Sequence, residues 1–287
     1  TNLTHDHLDY HKTFKNYKMA KAKLFQDFSD QSTVAVLNSD DKYFEYFKKK
    51  CLKQNISFLD YGYKAKFLKI INIKVTQKNT SLYLKFKNNG FKFNLGNTSL
   101  FDIYNRLCSI ILVHGKNLSK EKLSIINRLV SPPGRLEKVF DKNFTIFIDY
   151  AHTPDALQKV LESLTMRKGN VISLIGCGGE RDYNKRPIMT KIALKHSKFV
   201  ILADDNPRNE DPEQIRSQMI GNISDIDKKR IFNIGNRKRA IKEGINLLRK
   251  NDIFVIFGKG HERFQLIGNK KKAFSDSDVV LKIIKGL

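Results

Sequence analysis

Between Phe14 and Phe28, apolar residues recur at helical spacing, with Phe14, Tyr17, Leu24, Phe25 and Phe28 on one face. The spacing predicts a helix over Thr13 to Phe28, and Lys21 falls in the middle of its apolar stripe. A short strand, TVAVLNSDD, and a second helix, DKYFEYFKKKCLKQ, are expected next. Residues 67 to 95 then alternate apolar and polar around Asn88-Asn89-Gly90. That is the pattern of an antiparallel hairpin, with Leu84 and Phe86 facing Phe91 and Phe93. A helix over FDIYNRLCSIILVHG and a shorter one after Ser119 lead to Ser131-Pro132-Pro133-Gly134, the clearest breaker in the chain. A boundary there predicts domains over 1–131 and 132–287.

Beyond the breaker the pattern becomes regular. Four apolar runs, FTIFID, VISLIG, FVILAD and IFVIFG, are separated by helical stretches at the spacing of a parallel sheet, which predicts an α/β layer. Each run opens into a polar or glycine-rich loop: DYAHTPDAL, GCGGERDYNKRP, DDNPRNEDP and GKGHERFQ. Ligands of open parallel sheets bind beyond the carboxyl ends of the strands, so the four loops are expected to converge on one site.

Composition narrows the classes. The 287 residues are 40% hydrophobic, enough for two domain cores, and no run approaches the length of a membrane span. The net charge is +24, but the lysines are scattered through every segment with many Asn and Ile and form no stripe with interleaved aromatics. A nucleic-acid partner is therefore not expected, although the positive field favours anionic substrates. Three widely spaced cysteines, Cys51, Cys108 and Cys177, fit reduced thiols. These features predict a cytoplasmic protein with no membrane partner, and a monomer is expected.

The loops carry candidate chemistry. Arg181 and Arg208 offer planar charged forks for a carboxylate, Asn206 can donate and accept, and Glu262 can accept an ammonium. Together they describe a pocket for an amino acid. Taken singly, DNPR is equally a type I turn with a cap, and GKGHE a helix start. Asp149, His152 and Arg135 are polar groups placed to meet a nucleotide edge, and a helix cap accounts equally well for Asp149. Neither glycine-rich loop carries the GxxxxGK[ST] phosphate cradle. His7 and His11, with Asp6 and Asp9 nearby, suggest either a zinc site or a solvated helix start. Burial of Lys21 would favour a neutral amine, which can react with carbon dioxide to give a carbamate, a ligand suited to Mg²⁺; the alternative is a lysine that snorkels to the helix rim.

In order, TNLTHDHLDYH and YKMAKAKLF, PPGRLEKV, DYAHTPDAL, GCGGERD with KRP, DDNPRNEDP, and GKGHE with a later FSD resemble the Mur ligases, most closely the MurE type. The resemblance covers nearly the whole chain and is weakest between residues 42 and 100. It implies a partial central ATP-binding domain followed by a Rossmann-like α/β C-terminal domain. It further implies an ATP-dependent amide ligase of peptidoglycan precursor synthesis that adds meso-diaminopimelate to UDP-MurNAc-L-Ala-D-Glu, with Mg²⁺. His7 would then be a Mg²⁺ ligand and Lys21 the carbamylated residue. Asn105 would lie near adenine, Arg135 near the phosphates, and Asp149 and His152 at the ribose. Arg181, Asp205, Asn206, Arg208, Gly258 and Glu262 would hold the incoming amino acid. The DNPR form is associated with diaminopimelate, because Arg208 can pair with a distal carboxylate that lysine lacks.

The chain departs from the family pattern in places. His5 stands where arginine is common, Ser99 and Asp102 replace glycine and asparagine, and Asn236 replaces an aspartate before arginine. The family's N-terminal domain and P-loop are not in this sequence, so a fragment is expected, inactive without the P-loop. Folylpolyglutamate or cyanophycin-type ligases and a non-catalytic binding or scaffold protein are the alternatives.

Overall fold

The structure, a computed structural model, describes every residue except 1, 2, 4–7, 28, 29, 31, 77, 78, 97 and 287, together with all side chains of the described residues but those of Leu8 and Asp9. The chain divides into two compact units, Thr1–Val130 and Ser131–Leu287.

The first unit runs α1 (Leu8–His11), α2 (Phe14–Ala22), β1 (Val34–Asn38), α3 (Phe44–Lys53), β2 (Ser57–Gly62), β3 (Leu68–Val75), β4 (Thr80–Phe86), β5 (Asn89–Asn94), α4 (Leu100–His114) and α5 (Lys120–Ser124). Its five strands form one sheet in sequence order, parallel from β1 to β3 and antiparallel from β3 to β5. Ile103, Leu107, Ile110 and Ile111 of α4 cluster with Leu68, Ile70, Leu82 and Leu84 of the sheet. The helix spacing in FDIYNRLCSIILVHG thus builds the core of this unit.

Two local expectations are corrected here. The helix expected over Thr13 to Phe28 ends at Ala22 and tightens into a 3-10 turn over Lys23–Phe25. A 3-10 turn advances each residue further around the axis than an α-turn, so Leu24 is carried into solvent while Tyr17 and Ala22 stay buried. Phe28 lies outside the described residues. The hairpin turn also sits earlier than expected, at Lys87-Asn88, where Lys87 takes the left-handed φ of 53°. Leu84 does pair with Phe91, but Phe86 falls opposite Asn89 and Phe93 opposite Leu82.

The second unit runs β6 (Glu137–Asp141), β7 (Thr145–Asp149), α6 (Pro154–Thr165), β8 (Val171–Ile175), α7 (Lys185–His196), β9 (Phe199–Leu202), α8 (Pro212–Ile220), α9 (Asp225–Lys228), β10 (Ile231–Asn233), α10 (Arg237–Asn246), β11 (Ile253–Phe257), β12 (Phe264–Ile267), β13 (Lys270–Ala273) and α11 (Asp276–Lys285). Six strands form a sheet in the order β10-β9-β8-β11-β7-β6, all parallel except β6. The four apolar runs are its centre, and β8 and β11 are buried at every residue, as strands covered on both faces must be. Ile172 and Leu174 of β8 pack with Ala240, Ile241 and Ile245 of α10. Between them Ser173 points the other way, bonded to Ser197 just after α7 (3.0 Å), so α7 covers the opposite face. The fold is the α/β class expected, and no helix among the described residues is long and apolar enough to cross a membrane.

A buried ion pair holds the last segment to this sheet. Arg237, at the start of α10, reaches Asp276 at both carboxylate oxygens (2.8 Å each) and the Phe257 carbonyl (2.8 Å), with both charged side chains fully buried. Burial opposes the charge on Arg237, but Asp276 more than compensates and raises its pKa. Removing one member leaves an unpaired buried charge, so Asp276→Ala is expected to cost about 3–5 kcal/mol, read as a lower denaturant midpoint. A midpoint unchanged from the parent would refute the pair's structural role.

Candidate active site

The candidate site begins with the register of the parallel strands. Phe257 of β11 is level with Asp149 of β7, and Ile175 of β8 with Leu202 of β9, so the loops that follow leave one edge of the sheet together. Their sequences differ, but their starting points are fixed by the ladder.

The loops after β8 and β9 interlock. Gly179 donates its amide to the Asn206 carbonyl (3.0 Å), and a Cβ at Gly179 would collide with the Pro207 carbonyl. Arg208 donates Nη1 back to the Gly179 carbonyl (2.7 Å), while its Nε and Nη2 have no hydrogen bond among the described residues. Arg181 flanks the same glycine pair: a Cβ on Gly178 would lie 3.0 Å from Arg208 Nη1 and 3.7 Å from Arg181 Cγ. The two arginines expected to read a carboxylate are therefore neighbours.

Behind them stands Arg186, buried, which sequence reasoning did not single out. It donates to the Gly178 carbonyl (3.3 Å) and Gln218 (2.5 Å) and pairs with Glu210 (2.8 Å). Glu210 also accepts the Glu180 amide. Burial works to raise the Glu210 carboxyl, but the Glu180 and Arg186 hydrogen bonds prevail and hold it below the usual range. The only sequence signal for Arg186 was its place in the KRP segment.

The loops after β9 and β11 are tied by a second missed residue. Lys259, completely buried, donates to Asn206 Oδ1 (3.0 Å) and Glu262 Oε2 (2.8 Å). Asn206 Oδ1 also accepts the Leu266 amide (2.9 Å), and its Nδ2 donates to Glu262 Oε2 (3.1 Å). Asn206 was expected to donate and accept; its acceptor is already engaged by two internal donors. Glu262 was expected to await an ammonium, and Oε2 already holds one from its own chain. Burial acts to raise the Glu262 carboxyl, yet Lys259 and Asn206 outweigh it and hold the group ionised below the usual range. Gly258 begins the turn at φ 107°, and a Cβ there would strike Asp205 Oδ2. The GKGHE segment leads into β12, not into a helix.

After β7 the picture differs. Asp149 is buried, and both its oxygens are taken by backbone amides, Leu136 and Ala151 (2.7 Å each). Burial is the largest influence on it and raises its pKa against those bonds. The carboxylate expected at a ribose therefore holds the segment after Gly134 against the sheet, while Thr153 is the cap of α6. Arg135 is exposed, stacked 4.6 Å over the Tyr150 ring. The His152 ring meets that ring edge-on at 5.0 Å, with Nδ1 2.9 Å from the Tyr150 carbonyl. Cys177 lies within the same loop cluster, but burial pushes its thiol up to about 12, so it is no nucleophile.

In the first unit Lys21 is exposed, its Nζ 5.5 Å from the Tyr17 ring centroid. It is not embedded in an apolar stripe, because the stripe ends with α2. His7 lies outside the described residues. His11 stacks on Tyr17 at 5.0 Å, and among the described residues no group of three His, Cys, Asp or Glu side chains could hold a metal. Asn105 is exposed on α4. The departures in the sequence pattern have structural uses: Ser99 caps α4, Asp102 pairs with Arg106 (2.8 Å), and Asn236 caps α10.

Comparison with known proteins gives this geometry a setting. Residues 1–113 match the Mur ligase middle domain and residues 134–260 the Mur ligase glutamate ligase domain. The chain is 40% identical over 288 aligned positions to a UDP-N-acetylmuramoyl-L-alanyl-D-glutamate--2,6-diaminopimelate ligase of Aquifex aeolicus, covering all of this chain (100%) and 58% of that protein. It is 39% identical to the protein of the same name from Rickettsia rickettsii, over 99% of this chain and 59% of that one. A solved structure of a ligase of that name aligns with TM-score 0.61 at 33% identity, over 99% of this chain and 59% of its own. A MurF ligase of Thermotoga maritima in complex with ADP shares the fold, with TM-score 0.70 at 17% identity, over 99% of this chain and 60% of its own. The chain thus spans less than two thirds of the length of these relatives.

Proposed function

We propose, from the premise that the chain belongs to the Mur ligase family, that it serves in an ATP-dependent ligase joining meso-diaminopimelate to UDP-MurNAc-L-Ala-D-Glu in the cytoplasm. The observation that carries this reading is the convergence of Arg181, Arg208, Asn206 and Glu262 from separate loops at one sheet edge. Two guanidinium forks suit carboxylates, and an ionised carboxylate suits an amine, so the set fits a zwitterion. Arg208, with Nε and Nη2 unengaged among the described residues, suits the distal carboxylate that separates diaminopimelate from lysine.

The chemistry that follows is acyl activation. The γ-phosphoryl group of ATP passes to the D-glutamate γ-carboxylate, giving ADP and an acyl phosphate. The diaminopimelate amine attacks the acyl carbon, the tetrahedral adduct expels inorganic phosphate, and an amide remains. Arg135, exposed on its Tyr150 platform, is assigned to phosphate charge, and Asn105 and His152 to the nucleoside. Asp149 is assigned a positioning role, because its oxygens are committed to amides that set the backbone on either side.

His7 and a carbamylated Lys21 are the proposed Mg²⁺ ligands. Exposure of Lys21 gives carbon dioxide access to its amine, and a carbamate supplies the oxygen donors that Mg²⁺ prefers. Bound there, Mg²⁺ would offset charge on the transferring phosphoryl group. The protein that carries this chain, supplied with ATP and both substrates, is expected to release one phosphate per tripeptide formed. Tripeptide formed without ATP would overturn the reading.

A further inference from the structure

Lys259 has no place in the assignments above, yet it is the charged group most deeply set among the recognition side chains. It is completely buried and takes both its partners from that set, Asn206 Oδ1 at 3.0 Å and Glu262 Oε2 at 2.8 Å. A buried ammonium is costly unless paired, and one carboxylate would suffice to pair it. The second bond, to Asn206, is the informative one.

A carboxamide can face either way, and the two orientations present opposite chemistry to a ligand. Here Lys259 and the Leu266 amide both donate to the Asn206 oxygen, so the amide nitrogen is turned toward Glu262. With the carboxamide reversed, Nδ2 would face two donors. The same lysine draws Glu262 Oε2 inward, and Oε1 has no hydrogen bond among the described residues.

We infer that Lys259 is a positioning residue that sets the polarity of the amino-acid pocket, locking Asn206 as a donor and Glu262 as an acceptor with one free oxygen. The inference rests on the reading that this pocket takes the incoming amino acid. Lys259 itself need not touch substrate. It decides which face of Asn206 the substrate meets.

The test uses the full-length protein in steady-state ligation, with Lys259→Met, Glu262→Gln and the double variant. Lys259→Met is expected to raise the KM for the amino-acid substrate about tenfold or more while the KM for ATP stays within about twofold. The single change leaves the half-buried Glu262 carboxylate without its cation and could prevent folding. The double variant removes both charges together and supplies the decisive comparison. If Lys259 orients Asn206, the double variant has an amino-acid KM at least about fivefold above that of Glu262→Gln alone. A double variant equal to or better than Glu262→Gln would mean that Lys259 only neutralises the carboxylate, and would overturn the inference. Failure of the underlying pocket reading is distinguishable: Glu262→Gln would then leave the amino-acid KM unchanged.

Discussion

Replacing Arg208 with alanine is expected to raise the KM for meso-diaminopimelate by about 10²- to 10³-fold, the cost of deleting one member of a desolvated, hydrogen-bonded charge pair. The KM for ATP should move by no more than about twofold, since only the acceptor's contacts are removed. The backbone supports a functional origin for this residue. Arg208 sits at φ 53°, an uncommon conformation for a side chain of its size, anchored by its amide to the Leu266 carbonyl (3.1 Å) and by its carbonyl to the Gly268 amide (2.7 Å). The guanidinium lies in the loop cluster, with Nη1 bonded to the Gly179 carbonyl.

Arg208→Gly separates aim from stability. Glycine relieves roughly 1 kcal/mol of left-handed strain, which offsets the loss of the Nη1 bond to Gly179. Its melting temperature should stay near that of the parent while its diaminopimelate KM rises as far as that of the alanine variant. Loss of ATP and diaminopimelate affinity in equal measure would count against the assignment.

The second large effect is expected at Lys21. Lys21→Ala should lower kcat by about 10³-fold or more, since the carbamate is assigned to the metal that offsets phosphoryl charge, a contribution of several kcal/mol. Burial does not explain carbamylation here, because Lys21 is exposed on α2. Access to carbon dioxide and capture of the carbamate by the cation are the forces available. Short carboxylic acids should then restore part of the activity of Lys21→Ala by supplying the missing oxygens. Full activity of the variant with no added acid would contradict the assignment, and so would failure of every small carboxylate to rescue a correctly folded variant.

The parallel sheet of the second unit was legible because strands covered on both faces read as mainly apolar runs, and β7, β8, β9 and β11 do, with Thr145, Asp149 and Ser173 the only polar residues in them. Short or edge strands carry little such signal. Lys270–Ala273, fully exposed as β13, reads as a charged loop. The antiparallel β6 and the three-residue β10 were missed for the same reason. Turn position was legible only approximately: Asn-Gly suggests a turn, but the pairing of Leu84 with Phe91 and of Leu82 with Phe93 pulled it back to Lys87-Asn88.

Within the candidate site, motif spacing located the loops and named the residues that present charge. It could not foresee internal satisfaction. Lys259 meets Asn206, Arg186 meets Gln218 and Glu210, and the Leu136 amide meets Asp149, each across a gap in sequence, so these partners become known only once the loops are folded together. Lys21 shows the converse: periodicity extended past the end of α2 made burial one of its two readings, and the exposed side chain agrees with the other, a lysine at the helix rim.

The most direct test of the account is to give the full-length protein ATP, UDP-MurNAc-L-Ala-D-Glu and an equimolar mixture of meso-diaminopimelate and L-lysine, and to weigh the products. The account predicts that nearly all product carries the diaminopimelate mass, with the Arg208→Ala variant losing that preference. Equal incorporation of lysine by the parent protein would contradict the assignment of Arg208 to a distal carboxylate, and with it the reading of the site.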